Sequence, residues 1–366
     1  MQKKIAIVSF VIAIVFSSCG ENEKKDSDLV KFDRGEMLLN YANNLILPAY
    51  NNTLENINDL GTSITKFELN PTEPNLLEVQ LLWKKAILSW QHANGFNFGP
   101  ASEQGVQKSL QEEIATFPVN TLLLGNFLLA NDTSFNNFNR DTRGFFAIEY
   151  LVFDSVSPSQ VVNIFKTTPN RFNYLKACFN HLQKRVSTVV NGWSTYKESF
   201  IANNGTDIGS STSYLYNEFL KNFESLKNYK FGIPLGLRPG QTATLPQNVE
   251  AYYSGYGTAL AKEHWISLAA IWEGKGLNGM DGIGFKEYLE KVEGGPNLVV
   301  LTKQQIINTE TAFSLLPNKK FSDAITADFN LVNNVHTELQ KTTRFYKSDL
   351  SSLIGIAVTY SSGDGD

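Results

Sequence analysis

From Leu29 onward, apolar residues recur every three to four positions. Met37, Leu38, Tyr41, Leu45 and Ile46, then Tyr50, Leu54, Ile57, Leu60 and Ile64, trace one stripe of a long helix. Pro48 lies inside it and predicts a kink, because proline has no N–H and crowds the preceding turn. Asn70-Pro71-Thr72-Glu73-Pro74 ends the run. A second helix is predicted with Leu77, Leu81, Leu82, Ala86, Ile87 and Trp90 on its apolar side, stopped by Gly95 and Gly99-Pro100. Ile114 to Asn120 links into an apolar helix from Thr121 to Ala130, and Asn131 to Arg140 is a polar loop. From Asn170 a longer amphipathic helix carries Tyr174, Leu175, Leu182, Val186, Val189 and Trp193. After a Gly/Ser/Asn loop, helix resumes through Tyr214, Leu215, Phe219, Phe223 and Leu226. Residues 231–247 are rich in Pro and Gly, with Pro234, Gly236, Pro239, Gly240 and Pro246, and form an ordered connection or an internal boundary. Further helices are predicted near 256–273, 285–292, 302–316 and 321–347. Period-two alternation is nearly absent, so the fold class is all-α.

One predicted helix differs from the rest. Arg143-Gly144-Phe145-Phe146-Ala147-Ile148-Glu149-Tyr150-Leu151-Val152-Phe153-Asp154 sets a single acid among apolar residues, one turn beyond Phe146. A carboxylate packed among Phe145, Phe146, Ile148 and Phe153 must find a partner or have its pKa raised by desolvation. Arg143 is a local candidate for that partner and Arg238 a distant one. Glu149 either ties two helices together or lines a polar pocket that binds a ligand.

The amino end adds a location. Lys3 and Lys4 precede an apolar run from Ile5 to Phe16 and then Ser17-Ser18-Cys19. That run is too short to span a bilayer of roughly 30 Å and reads as a signal peptide over residues 1–18. The pattern resembles the lipobox of bacterial lipoproteins. The resemblance implies a mature chain beginning at Cys19, which carries the acyl chains that hold it to a bacterial membrane, on the periplasmic side or at the cell surface. Residues 19–28 are polar and charged, as a solvated tether should be.

Charge and cysteine count narrow the classes further. With 32 Lys+Arg against 36 Asp+Glu, the net charge of −4 gives nucleic acid no electrostatic hold. Cys178, the other cysteine, has no partner within the chain once Cys19 is lipidated. Phe172, Leu175, Phe179 and Leu182 at helical spacing make it a buried apolar residue.

The Arg143–Asp154 stretch resembles the GxHxxE signature of the imelysin family, with Gly144 and Glu149 in place and Phe146 standing where that family carries histidine. Other places are similar in order: Trp83 and Trp90 leading to Phe96-Asn97-Phe98-Gly99-Pro100, Phe117-Pro118-Val119-Asn120, Ile233-Pro234-Leu235, Glu250-Ala251-Tyr252-Tyr253-Ser254 and Val358-Thr359-Tyr360-Ser361. The resemblance implies two helical-bundle halves, 29–165 and 166–366, packed into one elongated molecule with a site where they meet. It also implies an envelope location, an association with iron uptake and, in some members, metallopeptidase activity with iron or another divalent metal as cofactor.

On that basis Arg143, Gly144, Phe146, Glu149 and Trp90 are the candidate binding residues, and Glu149 is the only motif ligand retained for a metal. A histidine and a glutamate three apart on a helix can reach one ion, but Phe146 has no lone pair to offer. The reading is therefore a binding or accessory lipoprotein whose partners are the membrane and either iron-uptake components or a small ligand. A metallopeptidase is the alternative, as is a structural envelope lipoprotein that has lost its metal site. None of His92, His181, His264 and His336 stands in an HExxH arrangement, so surface or capping roles are expected, with His92 able to approach a pocket. Gly274 to Gly279 matches GxGxxG but follows a helix, so it reads as an interhelical loop. Trp83, Trp90, Phe96 and Phe98 at near-helical spacing read as core before ligand cage.

Overall fold

Residues 32–104, 107–136, 138–153 and 157–360 are described by a computed structural model. The segments predicted as signal peptide (1–18) and tether (19–28), with Cys19, Asp154 and the residues from Ser361 on, lie outside the described residues. Helix α1 (Arg34–Asn40) starts where the Asp33 carboxylate accepts the Glu36 N–H at 3.1 Å. It runs without a break through a π-helical segment (Tyr41–Ile46) into α2 (Leu47–Leu69). At Pro48 the ladder widens instead of breaking. The Leu47 N–H donates to Ala42 O, five residues back, so the register change sits directly before the proline.

Helix α3 (Glu73–Ala93) folds back on α2 across the Asn70–Thr72 turn. Its buried stripe is Leu76, Val79, Trp83, Ala86, Ile87 and Trp90. Leu77 and Leu81, predicted on that face, are about half exposed. The large tryptophan rings set the rotation, and the Trp83 indole N–H donates to Phe145 O at 2.8 Å.

Short α4 (Leu110–Ile114) and α5 (Thr121–Ala130) lead to α6 (Gly144–Phe153), α7 (Pro158–Thr167) and the long α8 (Pro169–Ala202). Helix α8 packs along α2 and α6. Helix α9 (Ser211–Glu224) passes into a second π segment (Ser225–Gly232), and Tyr214 in its first turn faces out. Then come α10 (Gly257–Glu273), α11 (Phe285–Glu290) and α12 (Gly295–Ser314), the last beginning earlier than its periodicity predicts, with a proline in its first turn. The region 321–347 divides at Asp328, whose φ of −125° and ψ of 37° leave the helical range, into α13 (Phe321–Ala327) and α14 (Phe329–Thr343). A third π segment (Arg344–Asp349) and α15 (Leu350–Ile354) close the body.

Among the described residues there is no sheet, only an isolated bridge between Gln104 and Gln107. All five tryptophans are buried. Cys178 is fully buried, and burial pushes its thiol well above the usual range, which fits its place in the core. Gly274 to Gly279 forms the connection after α10. The segment after α15 is held by Asn217, which accepts the Thr359 N–H at 2.7 Å and donates to Ala357 O at 3.1 Å, while Ile354 and Ile356 are buried.

Candidate functional site

Helix α6 is apolar on every side and correspondingly buried, from Gly144 through Val152 except for half-buried Tyr150. Such a helix needs its end carbonyls satisfied by neighbours. Arg171 of α8 donates to Leu151 O at 3.1 and 2.7 Å, Gln80 of α3 donates to Val152 O at 2.7 Å, and the Tyr174 hydroxyl holds Thr142 O at 2.8 Å just before the helix. The position of α6 is thus set from both flanking helices, and Glu149 with it.

Glu149 is 1% exposed and lines a cavity of about 230 Å³. The walls come from Phe117, Pro118 and Val119 with Phe146 on one side of the sequence, and from Gln247, Asn248, Val249, Ala251, Tyr252 and Tyr253 on the other. The Phe117–Pro118 peptide is cis, and Ala251 has a left-handed backbone with φ of 55°. A left-handed alanine is held by its surroundings at some cost, a feature that clusters at binding and catalytic sites. Phe117 and Phe146 meet edge to face at 5.4 Å, as do Tyr252 and Tyr253 at 5.3 Å.

Burial raises the Glu149 carboxyl to about 7, opposed by hydrogen bonds from Ser254 and the Tyr253 backbone and assisted by the nearby Glu250 carboxylate. The Ser254 N–H lies 2.8 Å from Oε1. Among the described residues no cation figures in these influences. The arginines expected as partners sit elsewhere: Arg143 lies over the Phe135 and Phe138 rings at 4.7 and 5.5 Å, and Arg238 lines a neighbouring cavity of about 460 Å³. Gly144 opens α6 against the Ile114 backbone, and Trp90 packs near Phe145 in the core, 6.5 Å between ring centres.

Beside this cavity lies a buried polar group that periodicity did not reveal. Lys230, from the second π segment, is 3% exposed and places Nζ 2.7 Å from Glu250 Oε2 and 2.7 Å from Gln91 Oε1. Burial lowers the Lys230 pKa, and Glu250 opposes that shift. His264 departs from the surface or capping role expected of it. It is buried, with Nε2 2.9 Å from Asn222 Oδ1, and burial together with Lys230 holds it well below the ordinary histidine range. His92 sits 2.6 Å from Glu263 Oε1. A lysine among Leu226, Tyr229 and Phe231 was the one available signal for this group.

The donor set does not fit a protein-bound divalent metal. Zinc and iron sites use three or four nitrogen, sulfur or oxygen ligands. The lining supplies one carboxylate, already engaged by Ser254, with only the side-chain amides of Gln247 and Asn248 and the hydroxyls of Tyr252 and Tyr253 beside it, and Phe146 offers a phenyl ring. Among the described residues no three His, Cys, Asp or Glu side chains lie close enough to hold one ion.

A pH dependence follows from Glu149. Below about pH 4.5, the ordinary value, folded and unfolded chains both hold the proton. As pH rises towards 7 only the unfolded chain releases it, so stability falls across that window and the deficit is complete above it. Glu149→Gln is expected to exceed the native chain in stability by about 3 kcal/mol at pH 8 and to match it near pH 4, read from urea midpoints. Equal differences at both pH values would show that Glu149 ionises normally.

A sequence model of the imelysin family (peptidase M75) matches residues 46–341. Iron-regulated protein A of Synechococcus elongatus is 19% identical over 317 residues, covering 84% of this chain and 80% of that protein. Two crystal structures share the fold. One, of a Parabacteroides distasonis protein described as an iron-regulated protein A precursor, has a TM-score of 0.72 at 15% identity, covering 88% of this chain and 95% of that one. The other, an imelysin-like protein from Psychrobacter arcticum, has a TM-score of 0.70 at 17% identity, covering 92% and 99%.

Proposed function

This chain belongs to the imelysin family, and from that premise we propose that it is a lipid-anchored envelope protein that binds a small ligand at Glu149 as an accessory to iron uptake. The observation that carries the binding role is a buried carboxylate, with no cation paired to it among the described residues, lining an open cavity. Structural carboxylates of this burial are ordinarily paired within the protein, whereas a site that awaits a partner leaves the charge uncompensated. The iron connection draws on the similarity to iron-regulated protein A. Anchoring draws on the Lys3-Lys4, Ile5–Phe16, Cys19 pattern, and no described helix is long and apolar enough to cross a membrane. Binding is favoured over hydrolysis because Phe146, in the position the family resemblance gives to histidine, cannot ligate a metal.

Fractionation and growth test the parts separately. The native chain is expected in the membrane fraction and Cys19→Ala in the soluble one. A strain lacking the protein is expected to grow poorly under iron chelation and to be restored by the native chain but not by Glu149→Ala. Restoration by Glu149→Ala would remove the site from the function. Stoichiometric metal in the purified protein, with peptide cleavage lost in Glu149→Ala, would replace the binding role by an enzymatic one.

A further inference from the structure

We propose that the Glu149 cavity takes an organic ammonium ion, its cationic head enclosed by the rings of Phe117, Phe146, Tyr252 and Tyr253 and its charge met by the Glu149 carboxylate. This rests on the cavity being a binding site and specifies what it binds.

Charge and ring chemistry exclude the other classes in turn. An anion would meet Glu149 with Glu250 close behind it. A hard divalent ion would find one carboxylate and the side-chain amides of Gln247 and Asn248, too few donors to replace its hydration shell. A neutral apolar molecule would seal the carboxylate further from water with nothing to offset that cost. An alkylated ammonium is weakly hydrated, so entering the cavity costs it little. Aromatic faces attract such a cation through their quadrupole, by about 0.5–1 kcal/mol each when exposed and about 2 when desolvated.

The geometry suits that class. The two edge-to-face pairs, Phe117 with Phe146 and Tyr252 with Tyr253, come from opposite sides of the sequence and line the same space. The volume of about 230 Å³ holds roughly eight water-sized groups, enough for a molecule the size of choline. Ionised Glu149 within an aromatic enclosure then supplies the single counter-charge that a monovalent head requires. The raised Glu149 carboxyl supports the same view, since a bound cation would return it to the ionised form.

Calorimetric titration of the full chain in detergent with choline chloride, set against its neutral isostere 3,3-dimethylbutan-1-ol, tests the class directly. Choline is expected to bind at least roughly tenfold more tightly than the isostere. Glu149→Gln, which keeps the shape of the side chain, is expected to weaken choline about tenfold and leave the isostere unchanged. Tyr252→Leu, at a ring that is 40% exposed, is expected to weaken choline by a similar factor. Equal binding of the two probes, or binding of neither to folded protein, would overturn the proposal. A ligand-observed screen of mixed neutral, anionic and cationic fragments separates the two levels. Glu149-dependent binding of neutral or anionic fragments alone would leave a binding site of another class, and no binding at all would sink the site as well.

Discussion

Replacing Gly144 with alanine is expected to cost about 4 kcal/mol or more and to leave little folded protein at 37 °C. Two independent penalties meet at this residue. Its φ of 73° lies in the left-handed region, where a Cβ costs roughly 1–2 kcal/mol. That Cβ would also fall within 2.6 Å of Ile114 Cα and closer still to the Ile114 carbonyl oxygen, backbone atoms that cannot swing aside. The segment that would have to move leads directly into Phe117 and Pro118, so the Glu149 cavity would open with it. Gly125→Ala is the control. There a methyl meets nothing within 4 Å on helix α5, and a gain of roughly 0.5–1 kcal/mol is expected. Urea midpoints of the two variants differing by less than 1 kcal/mol would show that α6 does not start against Ile114 as described. The motif glycine is on this account a packing requirement, and the chemistry belongs to the residues it positions.

That distinction bears on what the sequence can reveal. The helices were legible because each buries one stripe, and a 3.6-residue repeat is a local property. Rotation about the helix axis was less so: Leu77 and Leu81 fit an apolar face of α3, but Trp83 turns that helix towards Phe145, 62 residues away. The burial of Glu149 could be read from its apolar neighbours on every side of α6. Its partners could not, since Ser254 and Glu250 arrive from more than 100 residues downstream, and the nearby Arg143 lies over the Phe135 ring instead. Lys230 was hidden for a different reason. It rides on a π-helical segment, where an i→i+5 ladder rotates side chains off the faces a 3.6 period assigns. His264 was expected at the surface because nothing in its neighbours Glu263 and Trp265 marks it for burial.

Lys230→Ala is expected to destabilise the protein by about 3–5 kcal/mol near neutral pH, although Lys230 does not line the cavity. The substitution removes the ammonium 2.7 Å from Glu250 Oε2 and leaves a carboxylate that is only 4% exposed without its counter-charge. Gln91 cannot substitute, since its Nε2 reaches Glu250 Oε1 only at 3.5 Å and also donates to Ile87 O at 3.2 Å. The cost depends on pH in a definite sense. Without Lys230 the buried carboxylate keeps no counter-charge, a cost that only its protonation in acid removes. The deficit of Lys230→Ala should therefore shrink between about pH 7 and pH 4. Removing both charges with Lys230→Met and Glu250→Gln together should recover most of the loss, because a buried pair is costly to break and much less costly to replace whole. Two losses that simply add in the double variant, with no change between pH 7 and pH 4, would mean that Lys230 and Glu250 are not coupled and that the polar group beside Glu149 is not held as a unit.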